Sequence, residues 1–334
     1  MWHAAWSRSG KVLATCGEDK TIRLWSSGGG GGGGGDWNTP AVECIATLEE
    51  SQSRTVRSCE WSPNDRMLAS ASFDGTVVVW EAQSAGLKVW DQVATLEGHD
   101  NEVKSVAWAP NNQWLATCGR DKRVWIWEVL RGGEFECVAM LEGHTQDVKF
   151  VQWHPTASAA MLLSASYDDT IKVWKEDNDD WYCADTLTGH DSTVWGVAFD
   201  TNGSRFVSVS DDKSLLEWQC DDADGKGTWR VAARIRDLHD LAVYTVDWSH
   251  TNGFIATGSG DNAITLCCPS NGSDGSGSGS SSGGDAVLHK LMTVAEAHDN
   301  DVNCVRWNPA DEYGYLLAST GDDGLVKLWR LSIM

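Results

Sequence analysis

The sequence contains no stretch of 18 consecutive apolar residues, and it therefore predicts no membrane-spanning helix. Its first residues include no basic segment followed by an apolar stretch, so we expect no secretory signal. Positive charge is scarce as well, because 26 Lys and Arg residues face 48 Asp and Glu residues and leave a net charge of −22. A field of this sign repels nucleic acids and anionic membranes. The composition thus disfavours direct binding to either, and a basic patch on this chain would be a local exception.

Cysteine arrangements typical of metal sites are missing too. Ten cysteines occur, but no Cys-x-x-Cys pair is present, and no His and Cys spacing points to a zinc site or a bound cluster. The cysteines stand singly, with Cys16 and Cys118 at one recurring position and Cys44, Cys137 and Cys183 at another. We interpret them as small buried strand residues in a reducing compartment, and we expect neither a metal nor a cofactor.

Tryptophan, by contrast, is abundant, and 12 of the 20 tryptophans mark an internal repeat. The first anchor of the repeat is an aromatic residue that ends an alternating apolar stretch: Trp6, Trp61, Trp108, Trp153, Phe199, Trp248 and Trp307. The second anchor is an aspartate 13 to 16 residues later: Asp19, Asp74, Asp121, Asp168, Asp212, Asp261 and Asp323. The third anchor follows each aspartate by six residues: Trp25, Trp80, Trp127, Trp174, Trp218, Cys267 and Trp329. The chain is therefore an array of seven repeats.

Two further polar positions belong to the same repeat. In the second repeat Gln52 stands nine residues before the first anchor. In five other repeats a histidine occupies that position: His99, His144, His190, His239 and His298. A hydroxyl residue stands four residues before every aspartate: Thr15, Ser70, Thr117, Ser164, Ser208, Thr257 and Ser319. Histidine, hydroxyl and aspartate also form catalytic triads, but a catalytic site occurs once and this set recurs. The recurrence therefore favours a structural role for the set over a catalytic one.

These repeats resemble those of the WD-repeat family, with Gly98-His99, Gly143-His144 and Gly189-His190 as good copies of its Gly-His motif. The resemblance implies an all-β fold, a seven-bladed β-propeller with four strands, a to d, in each blade. It also implies that the histidine, hydroxyl, aspartate and tryptophan of a blade form a buried structural hydrogen-bond network. We expect one domain over residues 1–334, with flexible loops at about 26–36, 221–227 and 269–285, where glycine and serine dominate or acidic residues cluster.

The two ends of the chain predict an incomplete last blade. Trp2 to Trp6 already reads as strand a of the first blade, and Trp329 ends strand c of the seventh, so only residues 330–334 remain. These residues are too few for a turn and a strand, and the closing strand d is expected to be absent. Either the N-terminus is not the natural one, or the ring is closed in another way.

In this fold the b–c turns and the d–a loops share one rim, here called the top face. The residue before each aspartate and the residue four before each first anchor point toward it. At these positions a set that we name the top-face arc combines cations with aromatic rings: Arg57, Lys104, Arg120, Lys149, Phe73, Tyr167, Trp195 and Tyr244. One interpretation is internal charge pairing with Glu102 and Asp147. The other is a site for a carboxylate with an aromatic neighbour.

Residues outside the anchors resemble the WD-repeat protein of cytosolic iron–sulfur protein assembly. The similar segments include Thr145-Gln146-Asp147-Val148-Lys149, Ser166-Tyr167-Asp168-Asp169 and Ser192-Thr193-Val194-Trp195. The resemblance implies a docking subunit of cytosol and nucleus. Its expected partners are a HEAT-repeat scaffold, a small acidic protein, an iron-only-hydrogenase-like cluster carrier and apo iron–sulfur clients. It also implies that Arg120 is functionally important and that clients present a C-terminal tail ending in an aromatic residue.

Two other function classes stay open at this point. A generic WD-repeat adaptor, such as a substrate receptor of a ubiquitin ligase or a reader of histone tails, would share the fold. An enzyme is the third class, but the sequence has no nucleophile and base pair outside the repeat and no phosphate-binding loop. We therefore expect a non-catalytic adaptor.

Overall fold

The segment of alternating apolar and polar residues before each first anchor forms the innermost strand of a sheet. The computed structural model describes residues 1–27, 37, 41–84, 86–156, 160–178, 180–222, 227–269 and 287–332. In it the side chains of these segments are buried at alternate or nearly all positions. The described residues contain 27 strands and a single 3₁₀ turn, Asp311–Tyr313. No helix in that part of the chain has the length and hydrophobicity to cross a bilayer.

The strands form seven antiparallel sheets, one for each repeat, in which consecutive strands pair. Blades 1 and 2 contain β1 (His3–Trp6), β2 (Val12–Cys16), β3 (Ile22–Ser27), β4 (Val42–Leu48), β5 (Val56–Trp61), β6 (Met67–Ser72), β7 (Val77–Ala82) and β8 (Trp90–Leu96). Blades 3 and 4 contain β9 (Val103–Trp108), β10 (Trp114–Gly119), β11 (Val124–Val129), β12 (Phe135–Leu141), β13 (Val148–Trp153), β14 (Met161–Ser166), β15 (Thr170–Asp177) and β16 (Asp180–Thr188). Blades 5 and 6 contain β17 (Val194–Phe199), β18 (Arg205–Ser210), β19 (Leu215–Cys220), β20 (Trp229–Ile235), β21 (Val243–Trp248), β22 (Ile255–Ser259), β23 (Ile264–Pro269) and β24 (Leu288–Val294). Blade 7 contains β25 (Val302–Trp307), β26 (Leu316–Gly321) and β27 (Val326–Arg330).

The predicted seven-bladed propeller with an incomplete last blade is confirmed. Within the described residues blade 7 has three strands, and β27 pairs only with β26. The ring nevertheless closes, because β1 packs against β25 as neighbouring inner strands do elsewhere. The amino group of Met1 also donates to the carbonyl oxygen of Gly321 at the end of β26, 2.9 Å away.

The hydrophobic core lies between adjacent blades and includes a set of rings that the repeat pattern did not predict. An aromatic residue at or just before the start of strand d packs against the first anchor of its own blade, as Trp90 does on Trp61 with 5.7 Å between ring centroids. The other pairs of this kind are Trp37 with Trp6, Phe135 with Trp108, Trp181 with Trp153, and Trp229 with Phe199. Strand d is thereby attached to the inner strand of its blade.

The cysteines differ in exposure, with Cys268 intermediate between a buried and an exposed group, and one expectation about them is wrong. Six of them are buried, among them Cys16 and Cys118, as predicted. Cys44, Cys137 and Cys183 are exposed instead, because they lie on β4, β12 and β16, the outermost strands, whose outward faces contact solvent.

Most of each predicted flexible loop lies outside the described residues, so their flexibility stays a prediction. The ends of the ranges do belong to regular structure. Ser26 and Ser27 continue β3, and Pro269 ends β23.

Candidate binding site on the top face

The b–c turns of all seven blades have one geometry, which the repeat aspartate sets. Its Oδ1 accepts a hydrogen bond from the backbone amide two residues later, as Asp121 accepts from Arg123 at 3.2 Å. The residue between them has a left-handed backbone, with φ of 70° at Lys122 and 91° at Gly75. In blade 3 the amide before the aspartate, that of Arg120, donates to the carbonyl oxygen of Glu102 at 2.9 Å. The backbone of Arg120 is therefore fixed on both sides.

The predicted histidine network has its complete geometry in five blades. In blade 3, Nδ1 of His99 lies 2.8 Å from Asp121 Oδ2, and Nε2 lies 2.8 Å from the hydroxyl of Thr117. The indole of Trp127 donates to the same hydroxyl at 3.0 Å. Because the carboxylate only accepts, the imidazole donates to it from Nδ1, and the neutral ring then accepts at Nε2 from the hydroxyl that also accepts from Trp127. The remaining pairs are His144 with Asp168, His190 with Asp212, His239 with Asp261, and His298 with Asp323.

Blade 2 replaces this network with a shorter one. Gln52 donates to the carbonyl oxygens of Ser70 and Thr76, and its side-chain oxygen accepts from the Ser70 hydroxyl. Asp74 is held separately, by the amide of Ser53 at 2.6 Å and by Thr76. The glutamine thus satisfies the buried hydroxyl without reaching the aspartate.

The cations of the top-face arc differ in their exposure. Side chains of Lys104 and Lys149 are only 12% and 10% exposed, whereas that of Arg120 is 56% exposed. Arg57 is half-buried, and its guanidinium carbon lies 5.0 Å from the ring centroid of Trp2. Arg120 is accordingly the member of the arc that solvent and ligands reach most easily.

The aromatic rings of the arc contact the cations and one another. Lys149 Nζ lies 3.6 Å from the ring centroid of Tyr167 and 4.9 Å from that of Trp195. Trp195 also packs edge-on against Tyr167 and Tyr244, at 5.6 and 5.1 Å. On the other side of the mouth, Lys104 Nζ lies 4.4 Å from the ring of Phe73. The arc therefore contains a cluster of three rings with Lys149 against it and a single ring, Phe73, with Lys104 against it.

Glu102 lies among the cations of blades 2 and 3. Its carboxylate contacts Lys104 at 2.6 Å, Arg54 at 3.1 Å and Arg120 at 3.8 Å. Arg54, which is also 56% exposed, was not predicted from the sequence because it lies outside the two positions that were compared between repeats. Asp147 lies 4.0 Å from Lys149. The internal charge pairing that was considered from the sequence is thus present. Of the three cations that contact Glu102, Arg120 lies farthest from the carboxylate.

Comparison with known proteins gives matches along nearly the whole chain. The family model described as "WD domain, G-beta repeat" matches residues 1–26, 42–81, 88–128, 135–175, 181–219, 234–266 and 289–330. The chain is 42% identical over 344 residues to the probable cytosolic iron-sulfur protein assembly protein Ciao1 of Culex quinquefasciatus, covering 99% of this chain and 94% of that protein. It is 46% identical over 354 residues to the CIAO1 homolog of Chlamydomonas reinhardtii, described as a probable cytosolic iron-sulfur protein assembly protein, covering 99% and 95%. Protein CIA1 of Arabidopsis thaliana is 42% identical over 349 residues, covering 99% and 93%.

The chain belongs to the WD40 family and, within it, to the CIAO1 proteins.

The top face of this CIAO1 family member contains one titratable cation with unusual properties. Burial, together with the neighbouring charge of Lys104, lowers the pKa of Lys149 from 10.5 to about 7, while Asp147 opposes the shift. An anion bound beside Lys149 Nζ would favour the charged form of the lysine. The described residues hold no group of three or more His, Cys, Asp or Glu side chains arranged for a metal ion.

Proposed function

We propose that this protein is a non-catalytic docking subunit of cytosolic iron–sulfur protein assembly and that its top face captures client proteins. The names of the similar proteins, which place them in that process, support the pathway. The expected partners are the HEAT-repeat scaffold, the small acidic protein, the iron-only-hydrogenase-like carrier and apo clients of cytosol and nucleus. The observation that carries the capture step is the exposed guanidinium of Arg120, on a hydrogen-bonded backbone, in an arc that also contains aromatic rings on a strongly acidic protein.

In this proposal the tail of a client binds with its terminal carboxylate at Arg120 and its last aromatic side chain on the Tyr167 and Trp195 rings. A guanidinium can hold a carboxylate through two parallel hydrogen bonds. Glu102 competes for the same guanidinium, but at 3.8 Å it holds Arg120 less closely than Lys104. A client carboxylate therefore displaces a weak internal contact and leaves the Glu102–Lys104 pair in place.

The experiment is fluorescence anisotropy with a labelled acidic peptide that ends in tryptophan, as the free acid and as the C-terminal amide. Arg120→Glu should abolish capture of the free acid, because like charges then face each other. Glu102→Gln should strengthen it, since the competing carboxylate is gone. Arg131→Glu, which changes the same charge in the exposed β11–β12 loop on the opposite rim, is the matched control and should leave capture unchanged.

Equal affinity for the acid and the amide, or unchanged binding by Arg120→Glu, would place the client site elsewhere on the propeller. A pull-down from cell extract tests the pathway separately. Recovery of iron–sulfur assembly proteins supports it, and recovery of ubiquitin-ligase subunits or histones instead would favour a generic adaptor.

A further inference from the structure

The central channel has a second mouth, on the rim opposite the top-face arc, and its floor is polar. The residue directly before the first anchor lines this mouth in blades 1 to 4, 6 and 7. Blades 1, 3 and 5 place alanines at this position, whereas the other four blades place polar side chains: Glu60, Gln152, Asp247 and Arg306. The small alanines leave space between the polar groups, and the mouth encloses a cavity of about 660 Å³ lined by all four. That volume lies in the usual range of ligand pockets.

The rim of this mouth is rigid. It consists of the residues two positions after the first anchors: Arg8, Pro63, Pro110, Pro155, Thr201, His250 and Pro309. Four of the six prolines of the chain therefore surround one opening. Because proline fixes its own backbone and presents an apolar ring, the rim can contact an aliphatic stem while the floor contacts a polar head.

Arg306 does not neutralise the carboxylates of the floor by direct contact. Its guanidinium donates to the carbonyl oxygens of Val305 and Val246 at 2.9 and 3.4 Å, and lies 3.1 Å from Nε2 of His3. Among the described residues, no ion pair within 4.0 Å joins Arg306 to a carboxylate. The donors of this arginine are largely engaged by backbone oxygens and by the imidazole.

The floor consequently keeps acceptor atoms that Arg306 does not satisfy. The side-chain oxygen of Gln152 is buried and has no hydrogen-bond partner in the part of the chain that the structure describes. Among the residues that the structure describes, Asp247 accepts from backbone alone, with the amide of Trp307 at 2.7 Å from Oδ2. Burial raises the pKa of Glu60 to about 7, with Arg306 and Arg8 opposing the shift. A buried acceptor without a donor is costly, so the cavity favours a ligand rich in N–H groups.

We propose that this mouth binds a basic side chain, an arginine or lysine on a loop or tail of a partner protein. Glu60, Gln152 and Asp247 come from blades 2, 4 and 6, so a head group on the channel axis faces acceptors on three sides. A guanidinium has five N–H donors in a plane, and the methylene stem of such a side chain packs along the proline rim. This site is separate from the top-face arc and does not depend on client capture there.

The test uses the short peptide acetyl-Gly-Arg-Gly-amide and its citrulline counterpart, titrated into the full chain and followed by ligand-observed NMR. Citrulline has the shape of arginine without the charge. The arginine peptide should bind at least about tenfold more tightly, a difference of about 1.4 kcal/mol. Glu60→Gln should remove most of that preference, whereas Glu136→Gln, the same charge change on the exposed face of β12, should retain it.

The pH dependence provides a second readout. A carboxyl group with a pKa of about 7 is ionised to about nine-tenths at pH 8 and about one-tenth at pH 6. Binding should therefore be up to about tenfold weaker at pH 6. Besides Glu60, the titratable or charged groups that line the site are His3, Arg8, Asp247, His250, Arg306 and Asp311.

Three results would overturn the proposal. Equal binding of the arginine and citrulline peptides would show that charge is not recognised. Unchanged preference in a folded Glu60→Gln variant would place the peptide elsewhere. Free agmatine binding as tightly as the peptide would make the cavity a small-amine site instead of a docking site for a protein. Arg120→Glu should leave arginine-peptide binding intact, so failure of the top-face proposal would not be mistaken for failure of this one.

Discussion

The indole nitrogen of Trp6 donates a hydrogen bond to the carbonyl oxygen of Arg306, 3.1 Å away, and thereby connects the first blade to the last. The same bond joins three other neighbouring pairs of blades, from Trp61 to Ala5, from Trp108 to Glu60 and from Trp153 to Ala107. In each case the acceptor is the residue before the first anchor of the preceding blade. The ring closure thus repeats an ordinary contact between blades and needs no shared outer strand to form it.

This relationship predicts that Trp6→Phe destabilises the protein more than Trp307→Phe. Both substitutions remove the same atoms from side chains that are 7% and 5% exposed, but the indole nitrogen of Trp307 is buried without a hydrogen-bond partner among the described residues. The difference in unfolding free energy should be about 1 kcal/mol, the usual net contribution of one hydrogen bond. Urea unfolding of the two variants measures it. Equal losses would mean that the bond between Trp6 and Arg306 contributes nothing to closure.

The histidine network predicts strong energetic coupling between His99 and Asp121. Each side chain satisfies a buried polar group of the other, so removing either alone leaves a donor or an acceptor unpaired, at a cost of about 1–3 kcal/mol. A double-mutant cycle with alanine at both positions should give a coupling energy of about 1 kcal/mol or more. The control is the same cycle on Gln52 and Asp74, which share no hydrogen bond, and its coupling should be within about 0.5 kcal/mol of zero. Similar values for the two cycles would contradict the network.

The spacing of the anchors was sufficient to predict seven repeats, and the resemblance to WD repeats supplied the strand order and the histidine network. These features depend on local periodicity and on turn chemistry that each repeat carries by itself. The aromatic residues of strand d were not predicted, because the glycine-rich and acidic c–d segments vary in length and take Trp37 and Trp229 out of register with their counterparts. Their contact with the first anchor is visible only when the sheet is folded.

Exposure was the other property that the repeat pattern could not supply. The repeat positions of Lys149 and Arg120 predicted that both side chains point to the top face. Lys149 is nearly covered by aromatic rings, however, whereas Arg120 lies in solvent. Which side chains are covered depends on neighbours from adjacent blades, such as Trp195. For the same reason the exposed position of Cys44 on an outer strand could not be deduced from its spacing.

The edge of β27 predicts that a fourth strand would stabilise blade 7. Leu325 and Leu328 are 48% and 36% exposed there, and in the described residues β27 pairs on one side only. The amino group of Met1 lies beside the end of β26, so a segment of about 20 residues joined to it has the length for a loop and one strand. We expect this extension to raise the melting temperature and, since open edges promote association, to reduce self-association in sedimentation experiments.

The matched control for that extension carries a proline in the middle of the added strand, which removes a ladder hydrogen bond. It should lose most of the gain. A 334-residue chain that is already monomeric and as stable as the extended one would show that the edge needs no partner.

The pKa of Lys149 predicts that capture of a client tail weakens as the pH rises from 6 to 8. A cation whose pKa has been lowered to about 7 is charged below that pH and loses its charge above it, so the attraction to a terminal carboxylate falls over this range. One partly buried charge pair contributes about 1 kcal/mol, which corresponds to roughly fivefold in affinity. Lys149→Gln should bind more weakly at pH 6 and lose the pH dependence, whereas Lys175→Gln on β15 of the same blade should keep it. Anisotropy titrations at both pH values decide the matter, because an unchanged pH dependence in Lys149→Gln would assign the titration to another group.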